Sequence, residues 1–128
     1  MLAHRERGSL ELPDNRGSMH LYALDAWVRR PAVLTDRRRL REILLAGAEA
    51  GGATVVGEEF HVFPNGAVTG VLVLAQSHLS IHTWPELELA NVDLLSYGHV
   101  RADEVLRVVR EALDVERSTV TSIPRAIG

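Results

Sequence analysis

The sequence contains no cysteine, no long apolar run and little net charge, and each absence excludes a class of protein. Without cysteine there can be no disulfide framework and no thiolate metal site. No apolar run approaches the roughly 20 residues that a membrane-spanning helix needs, so we expect no membrane partner. The net charge of -3 gives no electrostatic footprint for nucleic acid. The sequence therefore predicts a soluble cytoplasmic protein whose partners are small molecules or copies of itself.

Length and composition predict a single domain. The 128 residues, 46% of them hydrophobic, suffice for one core but are few for two. Residues 1–18 are charged, contain two glycines and Pro13, and have no apolar stretch like the core of a signal peptide. We therefore expect a flexible leader over residues 1–18 and one domain over residues 19–128.

The hydrophobic pattern predicts six strands and two helices. A helix beginning near Arg37 has a cap at Thr35 or Asp36 and ends at Gly51-Gly52. The run of arginines at its start is typical of a solvated helix face. The predicted strands cover residues 21–28, 54–63, 68–75, 78–82, 89–97 and 118–123, and the second helix covers residues 102–113. The order β-α-β-β-β-β-α-β favours an α+β two-layer sandwich, an antiparallel sheet with both helices on one face.

Polar side chains concentrate in the segment from Gln76 to Glu86, which directly follows the most apolar predicted strand. The segment holds two of the six histidines. An unsatisfied buried polar group costs about 1–3 kcal/mol, so such residues persist where they bond to each other or to a ligand. This segment is therefore the predicted functional site.

The ten residues Ser77-His-Leu-Ser-Ile-His-Thr-Trp-Pro-Glu86 resemble the signature of prokaryotic S-adenosylmethionine decarboxylase proenzymes. The resemblance continues without a gap from roughly Leu34 to Gly98. It implies that the chain cleaves itself between Gln76 and Ser77, and that Ser77 becomes a covalent pyruvoyl cofactor. The pyruvoyl carbonyl would then form a Schiff base with an amino-acid substrate and withdraw electrons as the carboxylate leaves. The implied substrate is S-adenosylmethionine, in polyamine and spermidine biosynthesis, and the implied assembly is a homodimer of processed protomers.

The resemblance also implies roles for four further residues. His82 matches the family's processing and catalytic histidine, and Thr69 stands where a serine usually assists processing. A serine needs such a base or hydroxyl network to become a nucleophile. Glu86 matches the glutamate that holds the substrate ribose hydroxyls, and Phe63 the aromatic residue that stacks on adenine. Without the resemblance, Glu86 is a surface carboxylate and Phe63 an ordinary core aromatic.

Two positions of the predicted site depart from the family pattern. Gln76 replaces a glutamate, which is nearly isosteric but ionises. Tyr97 replaces the cysteine that returns a proton to the product, and tyrosine can donate a proton but is bulkier. Residues 87–91 also differ from the relatives. These changes favour a related amino acid, such as arginine or ornithine, as an alternative substrate.

Two further functions remain open from the sequence. The first is a metal-dependent hydrolase with His78, His82 and Glu86 as ligands, although four residues of strand separate the two histidines by about 13 Å. The second is an unprocessed, non-catalytic paralogue that binds or regulates a partner, because Gln76 and Tyr97 both replace residues that the family uses at its site.

Overall fold

The computed structural model describes residues 2–6, 12 and 18–126, which form a seven-stranded antiparallel sheet and two helices. The strands are β1 (Leu2–Glu6), β2 (Met19–Val28), β3 (Val55–Val62), β4 (Val68–Leu74), β5 (Ser77–Trp84), β6 (Leu89–Ser96) and β7 (Val115–Arg125). The helices are α1 (Arg37–Ala50) and α2 (Ala102–Leu113), and short 3-10 helices cover Pro31–Thr35 and Pro85–Leu87. The strand order across the sheet is β1-β7-β2-β6-β5-β4-β3.

This architecture confirms the predicted α+β sandwich and its element order from β2 to β7. Strand β1 was not predicted. It lies within the segment expected to be a flexible leader, and it pairs with β7 along its whole length. Its sequence has no apolar alternation, so its strand conformation depends on the backbone of β7, which the local sequence does not reveal. Apart from Leu12 and Ser18, the rest of the predicted leader lies outside the described residues.

The core lies between the two helices and one face of the sheet. In β2, β4, β6 and β7 the even-numbered residues face the helices, and in β5 the odd-numbered residues do. These side chains form one buried cluster with the apolar faces of α1 and α2. The opposite face of the sheet is half-buried, and we call it the open face. It is the surface that the helices leave available for a site.

Helix α1 begins and ends as its sequence predicts. The Asp36 carboxylate caps it by accepting a hydrogen bond from the Arg39 amide at 3.0 Å. Its C-cap residue, Gly51, approaches α2 closely, and a side chain there would lie 2.2 Å from a methyl group of Val105. The two helices can therefore pack together only because this position lacks a side chain.

Candidate functional site

Ser77 begins β5 immediately after a turn of two residues. Leu74 of β4 lies directly opposite Ser77, so Ala75 and Gln76 alone connect the strands. Gln76 adopts a φ of 58°, a left-handed conformation that costs a residue with a side chain about 1–2 kcal/mol. The hydroxyl of the half-buried Ser77 donates a hydrogen bond to the backbone carbonyl of Leu95 on β6. The Gln76–Ser77 peptide bond therefore sits in a tight, strained hairpin.

A pocket of about 240 Å³ opens beside Ser77. Three segments line it: residues 53 and 54 before β3, the β4–β5 turn, and residues 97–100 between β6 and α2. Tyr97 lines this pocket and is 45% exposed, so its side chain is available to a ligand. Gly98 has a φ of 74°, which lets the chain turn away from β6 directly after Tyr97. The structure therefore brings together Gln76, Ser77 and Tyr97 of the predicted site.

The end of α1 holds two of these segments in place. The Arg101 amide donates to the Gly51 carbonyl at 2.9 Å, and the Arg101 guanidinium donates to the Ala50 carbonyl at 3.0 Å. These bonds satisfy carbonyls that a helix C-terminus leaves without partners. The Ala75 amide likewise donates to the Thr54 carbonyl at 2.9 Å, which ties the cleavage turn to the start of β3.

A row of polar residues crosses the open face, one from each of six neighbouring strands. Strand register places them directly opposite one another, and we call them the polar row: Thr119, Asp25, Asn91, His82, Thr69 and His61. Hydrogen bonds link several members. The Asn91 amide donates to Asp25 at 2.7 Å, and the Thr69 hydroxyl lies 3.0 Å from Nδ1 of His82. The predicted pair of His82 and Thr69 is therefore in contact.

Phe63 and Glu86 flank the same end of the sheet as this pair. Phe63 follows β3, and its ring meets His61 edge-to-face with centroids 4.7 Å apart. Phe63 is 43% exposed, so the interpretation of a core aromatic is wrong and a ligand can reach the ring. Glu86 is exposed on the 3-10 helix Pro85–Leu87 that follows β5. Four predicted residues therefore form a second group: Phe63, Thr69, His82 and Glu86.

The two groups of predicted residues lie apart within one chain. Ser77 and His82 are five residues apart on the extended β5, about 17 Å, which is more than the two side chains can span. His78 and His82 are four residues apart on β5, whose pairing with both neighbours has no register shift, as the sequence indicated. No cluster of three histidine, aspartate or glutamate side chains suited to a metal occurs among the described residues. This finding removes support from the hydrolase hypothesis.

Ion pairs on the helix side of the molecule lower the pKa values of two carboxylates, Glu58 and Glu104. A bidentate hydrogen bond from the Arg41 guanidinium, at 2.5 and 2.9 Å, lowers the pKa of Glu58. A hydrogen bond from Arg107 lowers the pKa of Glu104 in the same way. Both carboxylates are on the surface and outside the two groups of site residues, so they serve stability. Across residues 18–126, neither helix is long and apolar enough to span a membrane.

The fold is shared with a solved decarboxylase structure. The crystal structure of the adenosylmethionine decarboxylase from Aquifex aeolicus superposes with a TM-score of 0.74, covering 88% of this chain and 94% of that one at 24% sequence identity. The antiparallel sheet with both helices on one face is thus an adenosylmethionine decarboxylase-type sandwich.

Sequence comparisons identify the family. Residues 20–126 match the family model of S-adenosylmethionine decarboxylase. The S-adenosylmethionine decarboxylase proenzyme of Methanococcus maripaludis is 36% identical over 105 residues, 81% of this chain and 86% of that protein. The proenzyme of Pseudomonas paraeruginosa is 37% identical over 94 residues, 73% of this chain and 59% of that protein. The chain belongs to the S-adenosylmethionine decarboxylase family.

Sequence reasoning missed four of the six members of the polar row, namely His61, Asp25, Asn91 and Thr119. Asp25, Asn91 and Thr119 occupy three different strands, and only the strand register brings them beside His82 and Thr69. Asp25 and Asn91 are polar residues on the open faces of strands whose inner faces are largely apolar, whereas the inner face of β7 carries Ser118 and Ser122. Alternation can reveal the face of a residue, but not which neighbours stand opposite it.

Proposed function

We propose that the chain is a self-cleaving, pyruvoyl-dependent decarboxylase of S-adenosylmethionine or a related amino acid. The observation that carries this proposal is the position of Ser77 directly after a strained two-residue hairpin, beside an open pocket. Cleavage there leaves β4 and β5 paired with each other and with their neighbours, so the fold can persist after the chain is cut. Membership of the decarboxylase family supports the same conclusion.

Self-cleavage proceeds through a nucleophilic attack by Ser77. Its Oγ loses a proton and bonds to the carbonyl carbon of Gln76, the C–N bond breaks, and the Ser77 nitrogen gains a proton. The resulting ester eliminates when a base removes the Ser77 Cα proton and the Gln76 carboxylate leaves. Hydrolysis of the remaining dehydroalanine releases ammonia and leaves a pyruvoyl group. The Leu95 carbonyl holds the Ser77 hydroxyl but cannot take its proton, so a separate base is needed.

The residues around Ser77 fit a pyruvoyl group. Ser77 supplies all its carbon atoms, and the adjacent pocket of about 240 Å³ leaves space for a substrate. The bound group would supply an electrophilic carbonyl for the substrate amine and an acceptor for the electrons released with carbon dioxide. The chain contributes the remaining functions: Tyr97 carries a phenol that can hold or donate a proton in this pocket.

The 17 Å gap between the two groups supports a homodimer with shared sites. His82 and Thr69 of one copy would act on Ser77 of the other. Phe63 and Glu86 would come with His82 and bind the nucleoside part of S-adenosylmethionine. Apolar side chains on the open face, among them Leu21, Leu89 and Leu95, remain half-buried in a single chain and would be covered by the second copy.

Tyr97 and residues 87–91 differ from the family pattern, so more than one amino acid is a candidate substrate. Release of carbon dioxide from labelled S-adenosylmethionine, arginine and ornithine would identify the substrate. Ser77→Ala should abolish release from every substrate. Ser118→Ala is the matched control, because Ser118 is a buried serine on the helix-facing side of β7, away from both groups. Loss of activity in both variants would show that folding, and not Ser77, limits the reaction.

Co-expression of two inactive variants tests the shared site. His82→Ala keeps Ser77 but lacks the processing histidine, and Ser77→Ala keeps His82 but cannot be cut. If the site is shared, the His82→Ala chain is cleaved only when it is co-expressed with the Ser77→Ala chain. Activity then returns to about a quarter of wild type, because half of the dimers are mixed and each has one complete site. Persistence of both chains intact, while the wild-type chain is cleaved, would contradict sharing.

A further inference from the structure

Asn91 occupies the position in the polar row directly opposite His82 and directly opposite Asp25. Both ends of its amide group are used. Its Oδ1 accepts a hydrogen bond from the indole Nε1 of Trp84 at 2.6 Å, and its Nδ2 donates to Asp25 Oδ1 at 2.7 Å. The second carboxylate oxygen of Asp25 accepts from the Thr119 hydroxyl at 3.4 Å. One connected chain therefore runs from β7 to the end of β5.

The chemistry of the partners fixes the orientation of this amide. An indole N–H can only donate, and an ionised carboxylate can only accept. Asparagine offers an acceptor to the first and a donor to the second, so Asn91 can satisfy both in one orientation only. Neither alanine nor aspartate satisfies both partners. Asn91 therefore links Trp84 rigidly to a carboxylate that is itself held by a neighbouring strand.

Trp84 is placed where a bound substrate would lie. It shares the open face of β5 with His82, two residues earlier, and the 3-10 helix with Glu86 follows it directly. Its side chain is 43% exposed although its N–H is bonded, so a large part of the ring remains free for contact. Aromatic rings contribute large contact areas at little conformational cost when their orientation is fixed beforehand.

We propose that Asn91, anchored by Asp25, is a positioning residue that holds the indole of Trp84 as a wall of the substrate site beside His82. This inference rests on the proposed decarboxylase site and assigns Asn91 and Asp25 no contact with the reacting atoms. In this proposal the Asp25 carboxylate orients the Asn91 amide. The substrate contact is made by Trp84.

Nuclear magnetic resonance of the uncleaved protein tests the orientation directly. The Ser77→Ala protein labelled with nitrogen-15 should show two indole resonances, from Trp27 and Trp84, which Trp84→Phe assigns. Asn91→Ala should shift the Trp84 resonance and speed its exchange with solvent about tenfold, which corresponds to about 1.4 kcal/mol. Thr121→Val, on the open face of β7 but outside the polar row, should leave it unchanged. An unmoved Trp84 resonance in Asn91→Ala would overturn the positioning role.

Titration of the same labelled protein with ligands tests whether Trp84 forms a wall of the substrate site. S-adenosylmethionine, arginine and ornithine are added in turn, and the ligand that binds should shift the Trp84 resonance and leave Trp27 in place. If none of the three shifts Trp84, the wall assignment is wrong. This measurement needs no cleavage, so it can fail while self-cleavage succeeds, and the reverse.

A double-mutant cycle in the active enzyme separates positioning from a general structural effect. Asn91→Ala and Trp84→Phe should each raise KM about tenfold with little change in kcat, and the double variant should be no worse than Trp84→Phe alone. Asp25→Asn should have a KM close to that of the wild type, because its side-chain oxygen can still accept a hydrogen bond from Asn91. A hundredfold rise in the double variant would show that Asn91 acts independently of Trp84, against the proposal.

Discussion

The contact between the two helices at Gly51 predicts a clear loss of stability on substitution. Gly51→Ala places a new Cβ 2.2 Å from a methyl group of Val105 and 2.9 Å from the carbonyl oxygen of Arg101. The first neighbour is a stiff β-branched side chain in a buried position, and the second is backbone. Neither can move aside without shifting α2 or the segment that leads into it.

The expected size of the effect follows from two opposing terms. Overpacking of this kind costs about 1–3 kcal/mol, and replacing glycine by alanine returns about 0.4–1 kcal/mol by restricting the unfolded chain. We therefore expect a net loss of about 1–2 kcal/mol in the free energy of unfolding. For a chain of 128 residues this corresponds to a fall in Tm of about 4–7 °C.

Urea and thermal unfolding of the Ser77→Ala protein, which removes cleavage as a complication, provide the assay. Gly57→Ala is the matched control, because its added Cβ would lie 3.7 Å from the nearest atom, an ordinary contact with Val73. Gly57→Ala should be neutral or slightly stabilising. If Gly51→Ala is as stable as Gly57→Ala, the helices do not approach as closely as described.

The remaining predictions concern two buried hydroxyls and one surface ion pair. Thr83→Val should lower the free energy of unfolding by about 2–3 kcal/mol, because the Thr83 hydroxyl bonds at 2.7 and 2.8 Å to a buried carbonyl and a buried amide. Ser118→Ala should cost almost nothing, because within the described part of the chain its buried hydroxyl has no hydrogen-bond partner. Urea unfolding of both variants measures this contrast, and equal losses would contradict it. Glu58→Gln should lower stability slightly at pH 7, and this loss should shrink as the pH falls. Arg41 lowers the pKa of Glu58, so the stabilisation exists above the unfolded pKa and disappears as pH falls through the folded value. Equal unfolding midpoints at pH 7 would refute it.

The fold could be predicted from the sequence because its signals are local. The helical spacing of Leu40, Ile43 and Leu44 predicts α1, and the cap at Asp36 predicts its start, without any knowledge of the sheet. Strand β1 shows the limit of this reasoning, since its pairing partner β7 lies more than a hundred residues away in sequence.

The candidate site was only partly predictable, for a related reason. Ser77, His82 and Glu86 lie within ten consecutive residues, so their motif is visible in the sequence. The hydrogen bond between Asn91 and Asp25 joins residues 66 positions apart, and it exists only because β2 and β6 pair in one register. Proximity along the chain was also misleading, because the extended strand separates Ser77 from His82.

Intact-mass analysis of freshly purified protein tests self-cleavage at Ser77 most directly. Self-cleavage at Ser77 predicts two fragments, residues 1–76 and residues 77–128, the second beginning with a pyruvoyl group in place of serine. The Ser77→Ala protein should give one mass throughout. A wild-type chain that stays intact after long incubation, with its serine unchanged, would contradict the account.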